Sequence, residues 1–155
     1  MFRLLRRLPG TNIDATIDIQ VLSSWTNQAR RLCEQYGRAT VGDSYIGQLL
    51  ARAPSEEDGS WPCRSMCEVL ESVASEEVAR GFKIGVYNAR GVVTRKLNEG
   101  GNQERELSAK YRVWTQRLAF DYPYVANIME SIAEHYDEEA EREDFRARVV
   151  TRLEH

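Results

Sequence analysis

Residues 102–150 read NQERELSAKYRVWTQRLAFDYPYVANIMESIAEHYDEEAEREDFRARVV. In the first half Leu107, Tyr111, Trp114 and Leu118 recur at steps of four, three and four; in the second, Val125, Met129, Ile132, Tyr136 and Ala140 recur at four, three, four and four. That spacing keeps apolar side chains on one stripe of a 3.6-residue helix. Asp121-Tyr122-Pro123 separates the two runs, because proline interrupts a helix and favours a turn before it. The stretch therefore predicts two long antiparallel helices, a helical hairpin over 102–150, and sets the fold class as all-α.

Working back from the hairpin, Gly100-Gly101 precedes it, and Glu104 and Glu106 fall in its first turn, where the helix dipole favours negative charge. Asn88 to Gly101 is the longest stretch without helical periodicity and reads as a loop. Val92-Val93-Thr94 within it has β propensity but no partner strand elsewhere. Before the loop, Val78, Phe82 and Val86 mark a helix on which Gly81 and Gly85 would let another backbone approach closely. Ser75 with Glu76 and Glu77 reads as a fresh N-cap, breaking that helix from one carrying Met66, Val69, Leu70 and Val73. Trp61-Pro62 is expected to open the latter, with Pro62 at its first helical position.

Ser55 to Ser60 is a polar loop, and Asp43 is expected to cap a short helix bearing Tyr45, Ile46, Leu49 and Leu50. From Ile17 to Tyr36 the set Val21, Trp25, Ala29, Leu32 and Tyr36 predicts one buried helical face, stopped by Gly37. Thr11 to Asp18 is a polar lead-in that suits a helix entry. The expectation is a helical bundle of about five or six helices occupying a single domain over 11–152. Residues 1–10 form a basic lead-in, read as the end of an upstream element. Leu153-Glu154-His155 resembles the remnant of an expression tag. On this reading the domain is excised from a larger, bacterial-type protein.

With 155 residues, 42% of them hydrophobic and 29% charged, the chain has the composition of a globular domain with a real core. A net charge of −3 lacks the basic excess of a general nucleic-acid binder. No apolar run approaches the roughly 20 residues needed to span a bilayer, and the start lacks a signal-peptide core. Cys33, Cys63 and Cys67 are too few for a disulfide scaffold and sit among helical apolar positions, which suits reduced thiols in the cytoplasm.

Chemical motifs are sparse. Cys63 and Cys67, four apart, share a helix face, but with His135 as the only further candidate ligand they fall short of a zinc site. A cysteine nucleophile would need His135 as its base, and that residue sits on a charged helix. Neighbouring carboxylates abound, yet acid–base catalysis needs them facing one another in a pocket. No phosphate-loop or dinucleotide fingerprint occurs. No catalytic residue, metal or cofactor is therefore expected, and no small-molecule ligand is assigned.

The charges leave two surfaces to consider. Asn88, Arg90, Arg95, Lys96 and Arg105 form a candidate polar or anion-binding loop, opposed by Glu99, Glu104 and Glu106 in the same stretch. The second hairpin arm carries Glu130, Glu134, Asp137, Glu138, Glu139, Glu141, Glu143 and Asp144 against Arg142 alone, whereas the first carries Arg105, Lys110, Arg112 and Arg117. The acidic arm is expected to exceed its charge partners beyond Asp137, so Asp137, Glu138, Glu139 and Glu141 form a candidate docking face for a protein partner or a second copy of the chain. The leading expectation is a non-catalytic interaction or adaptor domain. One alternative is a small enzyme or effector with a polar site around Asn88 and Arg90, which would require a pocket at Arg90; a second is nucleic-acid contact through the basic loop 90–96.

Overall fold

A computed structural model describes residues 7–94 and 99–153 of the chain. Among them are six α-helices and no strand, so the protein is an all-α helical bundle. The helices are α1 (Ile19–Gln35), α2 (Ala39–Leu50), α3 (Arg64–Val73), α4 (Glu76–Arg90), α5 (Asn102–Leu118) and α6 (Pro123–Leu153). They fall into two compact units, Met1–Arg90 and Gly91–His155. No helix among the described residues is long and apolar enough to cross a membrane.

In the first unit the polar lead-in closes into a small loop through an isolated bridge between Thr11 and Ile17. Asp18 then caps α1, its carboxylate accepting from the backbone N–H groups of Gln20 and Val21. The buried face of α1 is not the expected one. Leu22 and Thr26 are fully buried, whereas Val21 and Leu32 are 48% exposed and Tyr36 is 79% exposed. Thr26 tolerates burial because its hydroxyl donates to the Leu22 carbonyl at 2.8 Å, one turn back in the same helix. The helix is thereby rotated by about one position relative to its apolar pattern, and it presents Cys33 to Gly42 of α2.

Asp43 likewise differs from expectation: it lies inside α2, only 8% exposed, and caps nothing. Arg30 of α1 grips it with two hydrogen bonds of 2.9 Å, and the Ser75 hydroxyl donates to the same carboxylate at 2.9 Å. Ser75 in turn accepts from the Val78 N–H, capping α4. One carboxylate thus ties α1, α2 and the start of α4 together. Burial alone would raise its pKa, but the Arg30 and Ser75 hydrogen bonds outweigh that and hold it below the usual carboxylate value.

The α2–α4 packing rests on glycine. A Cβ on Gly81 would run into the Ser44 backbone, and one on Gly47 into the backbone of Val78 and Phe82; Gly85 faces Ala51 and Gln48. Close approach of the two backbones is the role expected of Gly81 and Gly85. The break before α4 comes at Ala74, which adopts a left-handed conformation. Its partner helix α3 begins at Arg64 with Cys63 as N-cap. Pro62, expected as the first helical residue, instead precedes the cap and follows Trp61 through a cis peptide bond. Trp61 stacks on Phe82 at 5.3 Å and donates its Nε1–H to the Ala53 carbonyl, closing a core that includes Ile46, Leu50, Met66, Leu70 and Val78.

Candidate docking surface on the last helix

The second unit is built from α5 and α6. Every residue of the α6 seam, Val125, Met129, Ile132, Tyr136 and Ala140, is buried. On α5 the buried stripe is Glu104, Ser108, Tyr111 and Trp114, while Leu107 and Leu118 are only half-buried. The apolar pattern of α5 therefore marks the right half of its contact face and misses the polar half. Ser108 is occupied by the Arg112 guanidinium at 2.7 Å, and Glu104 sits in the first helical turn, where the positive end of the dipole favours a carboxylate. Tyr111 makes an edge contact with Trp114 at 5.1 Å and meets Tyr136 across the pair at 5.8 Å. Lys110 lies 4.9 Å from the Trp114 ring centre, a cation–π contact.

Charged contacts fix the antiparallel alignment. Arg112 donates to Asp137 at 2.6 Å and lies 3.4 Å from Glu130; one turn from the start of α5, Arg105 pairs with Asp144. At that end Gly100 adopts φ +60°, and Gly101 donates its N–H to Asp144 at 2.9 Å. A Cβ on Gly101 would strike the Ala140 backbone. The two glycines thus serve a close approach to α6 as well as a turn. The Arg112 hydrogen bond, then that of Ser108, lowers the Asp137 pKa; the Gly101 N–H, then Arg105, lowers that of Asp144.

These pairs change the charge account of the acidic arm. Asp137 and Asp144 are matched by α5, Glu138 and Glu139 by Arg142, and Glu143 by Arg146. The surplus expected beyond Asp137 is therefore smaller. Among the described residues, Glu141 and Arg148 make no ion pair.

Past Asp144 the helix continues for nine residues, to Leu153, while its companion α5 has already begun at Asn102 beside Ala140 and Asp144. Phe145 is 63% exposed and Val149 40%, one turn apart on one face. Glu138, Glu141, Arg142, Phe145 and Arg146 line a shallow, open trough on that helix. Glu138 and Glu141, two of the four acidic residues named from the sequence, are thus continuous with an apolar stripe that was not read as part of that face, although the four-residue step from Phe145 to Val149 was there to be seen.

The basic loop is a different matter. Asn88 and Arg90 are on the last turn of α4 in the first unit, not in a loop, and Arg105 is in α5, where it serves Asp144 and Asn102. Arg95 and Lys96 lie outside the described residues. A second open crevice, in the first unit, is lined by Leu8, Thr11, Asn12, Ile13 and Arg52; Arg90 lines neither it nor the trough on α6. The three cysteines are free thiols. Burial raises the pKa of Cys63 and pushes Cys67 up to about 12, which suppresses the thiolate needed for nucleophilic attack at neutral pH. Among the described residues no three histidine, cysteine or carboxylate side chains gather as a metal site.

Compared with protein-family models, curated proteins and solved structures, the chain has no match.

Proposed function

We propose that the chain is a non-catalytic protein-interaction or adaptor domain of a bacterial-type cytoplasmic protein, docking through the distal part of α6. The observation that carries this reading is the step at Asp144. Up to that residue α6 is covered by α5, and after it Phe145 and Val149 stand in solvent beside the charged turn Asp137, Glu138, Glu139 and Glu141. Apolar side chains rimmed by charge are the ordinary makeup of a transient protein interface. Burying Phe145 against a partner would contribute roughly 1.5 to 3 kcal/mol, and flanking ion pairs up to about 1 kcal/mol each.

The test is a photo-crosslinking residue at position 145 in the full chain, expressed in cells, with the exposed Gln20 as control site. The reading expects a protein adduct at 145, none at 20, and loss of the adduct when Glu138, Glu139 and Glu141 are all changed to lysine. Equal labelling at both sites, or an adduct indifferent to the lysine changes, would remove α6 from the account.

A further inference from the structure

Resting on that reading, we infer that the occupant of the distal α6 face is a second copy of the same helix, laid antiparallel across it with the two Phe145 side chains at the centre. The argument is one of charge. Residues 137–144 hold six acids and one arginine, whereas residues 145–152 hold three arginines and no acid. A helix whose charge changes sign at Phe145 is complementary to itself only when the second copy runs the other way. A parallel arrangement would set acid beside acid and arginine beside arginine, and like charges at close quarters repel.

Two side chains on this stretch of α6 that make no intrachain salt bridge, Glu141 and Arg148, fit the same geometry. Glu141 lies four residues before Phe145 and Arg148 three after it. Their separation of seven residues, about 10 Å along one helix, is too long for them to pair with each other. It places both on one flank of the Phe145–Val149 stripe, the position from which antiparallel helices exchange salt bridges. Each copy then offers Glu141 to the other's Arg148, and Glu138 lies opposite Arg152. Arg142, which faces the same region, is already held by Glu138 and Glu139.

The contact spans about 22 Å of helix at 1.5 Å per residue over residues 138–152. That is short of what buries the roughly 1,200 Å² of a standard stable interface, so the association is reversible and dependent on concentration. Charged flanks also make it weaken as salt is raised.

Sedimentation equilibrium of the full chain from about 10 µM to about 1 mM brackets such a contact. The weight-average mass is expected to rise from 17.8 kDa towards twice that value at low salt. E141R sets arginine against arginine across the pair and R148E sets glutamate against glutamate, so each variant alone should remain monomeric, with unchanged circular dichroism. An equimolar mixture should associate again, because every cross-copy pair is then of opposite sign. A wild-type chain that stays monomeric throughout overturns the inference, and an adduct at position 145 with another protein would still leave the docking reading standing. Association of the single variants at wild-type strength, or a mixture that fails to associate, also overturns it, because the copies would then meet elsewhere or in another orientation.

Discussion

Asp43 is the residue on which the first unit turns, because three helices meet at its carboxylate. Replacing it with alanine leaves the Arg30 guanidinium and the Ser75 hydroxyl without their acceptor. Breaking a fully buried pair costs about 3 to 5 kcal/mol, but Arg30 is a third exposed, so a loss on the order of 2 kcal/mol is expected in urea unfolding. The pH dependence follows from the direction of its shift. The folded pKa lies below the unfolded value of about 3.9, so the unfolded chain binds more protons between the two. The stability Asp43 contributes is complete above the unfolded value and is lost as pH falls through the folded one. Asp43→Asn should therefore lower stability at pH 7 and flatten the acid limb of the unfolding curve below about pH 4; an unaltered limb would mean that the carboxylate is not held as described. Gly81 offers a second residue-scale test. Alanine is the better helix former by about 1 kcal/mol, yet its Cβ would meet the Ser44 backbone, which cannot swing aside as a side chain does. Gly81→Ala should lower the melting temperature despite the propensity gain, by an amount corresponding to a net loss of about 1 to 2 kcal/mol.

At the scale of elements, apolar spacing identified which segments are helices more reliably than which face each helix buries. The α6 seam is buried at all five positions read from its spacing, since a long regular stripe leaves one choice of face. On α1 two stripes one residue apart compete. The apolar one lost because Thr26 satisfies its own hydroxyl and Arg30 finds Asp43, facts that depend on tertiary partners. Glu104 and Ser108 were hidden on α5 for the same reason: their side chains look solvent-bound until the helix is placed. Gly81 and Gly85 were legible because close backbone approach has few other solutions in sequence. Of the proposed docking surface, the charges could be read from the sequence, and the four-residue step from Phe145 to Val149 lay in plain spacing. These assignments separate in mutagenesis. Leu22→Ala and Ile132→Ala should each cost about 2 to 5 kcal/mol, whereas Tyr36→Ser and Phe145→Ala should change stability by no more than about 0.5 kcal/mol. Chemical denaturation distinguishes the two groups, and a large loss on changing Tyr36 would restore the face expected from sequence.

For the molecule as a whole, six helices in two compact units hold no group of three or more histidine, cysteine or carboxylate side chains placed to bind a metal among the described residues, and the proposal rests instead on the distal part of one helix. That helix has two regimes. Val125 to Ala140 is held by α5, and its amides should open only with the unit, whereas Phe145 to Leu153 lies past the Arg105–Asp144 pair, carries the exposed Phe145, Val149 and Leu153, and should open locally. Hydrogen exchange along α6 in dilute protein tests this most directly, since it reads protection residue by residue without a known partner. The account predicts slow exchange from Val125 to Ala140, a step near Asp144, fast exchange from Phe145 to Thr151, and slowing confined to residues 138–152 when the protein is concentrated. Uniform protection along all 31 residues of α6 in dilute protein would contradict it, because the distal face would then already be covered.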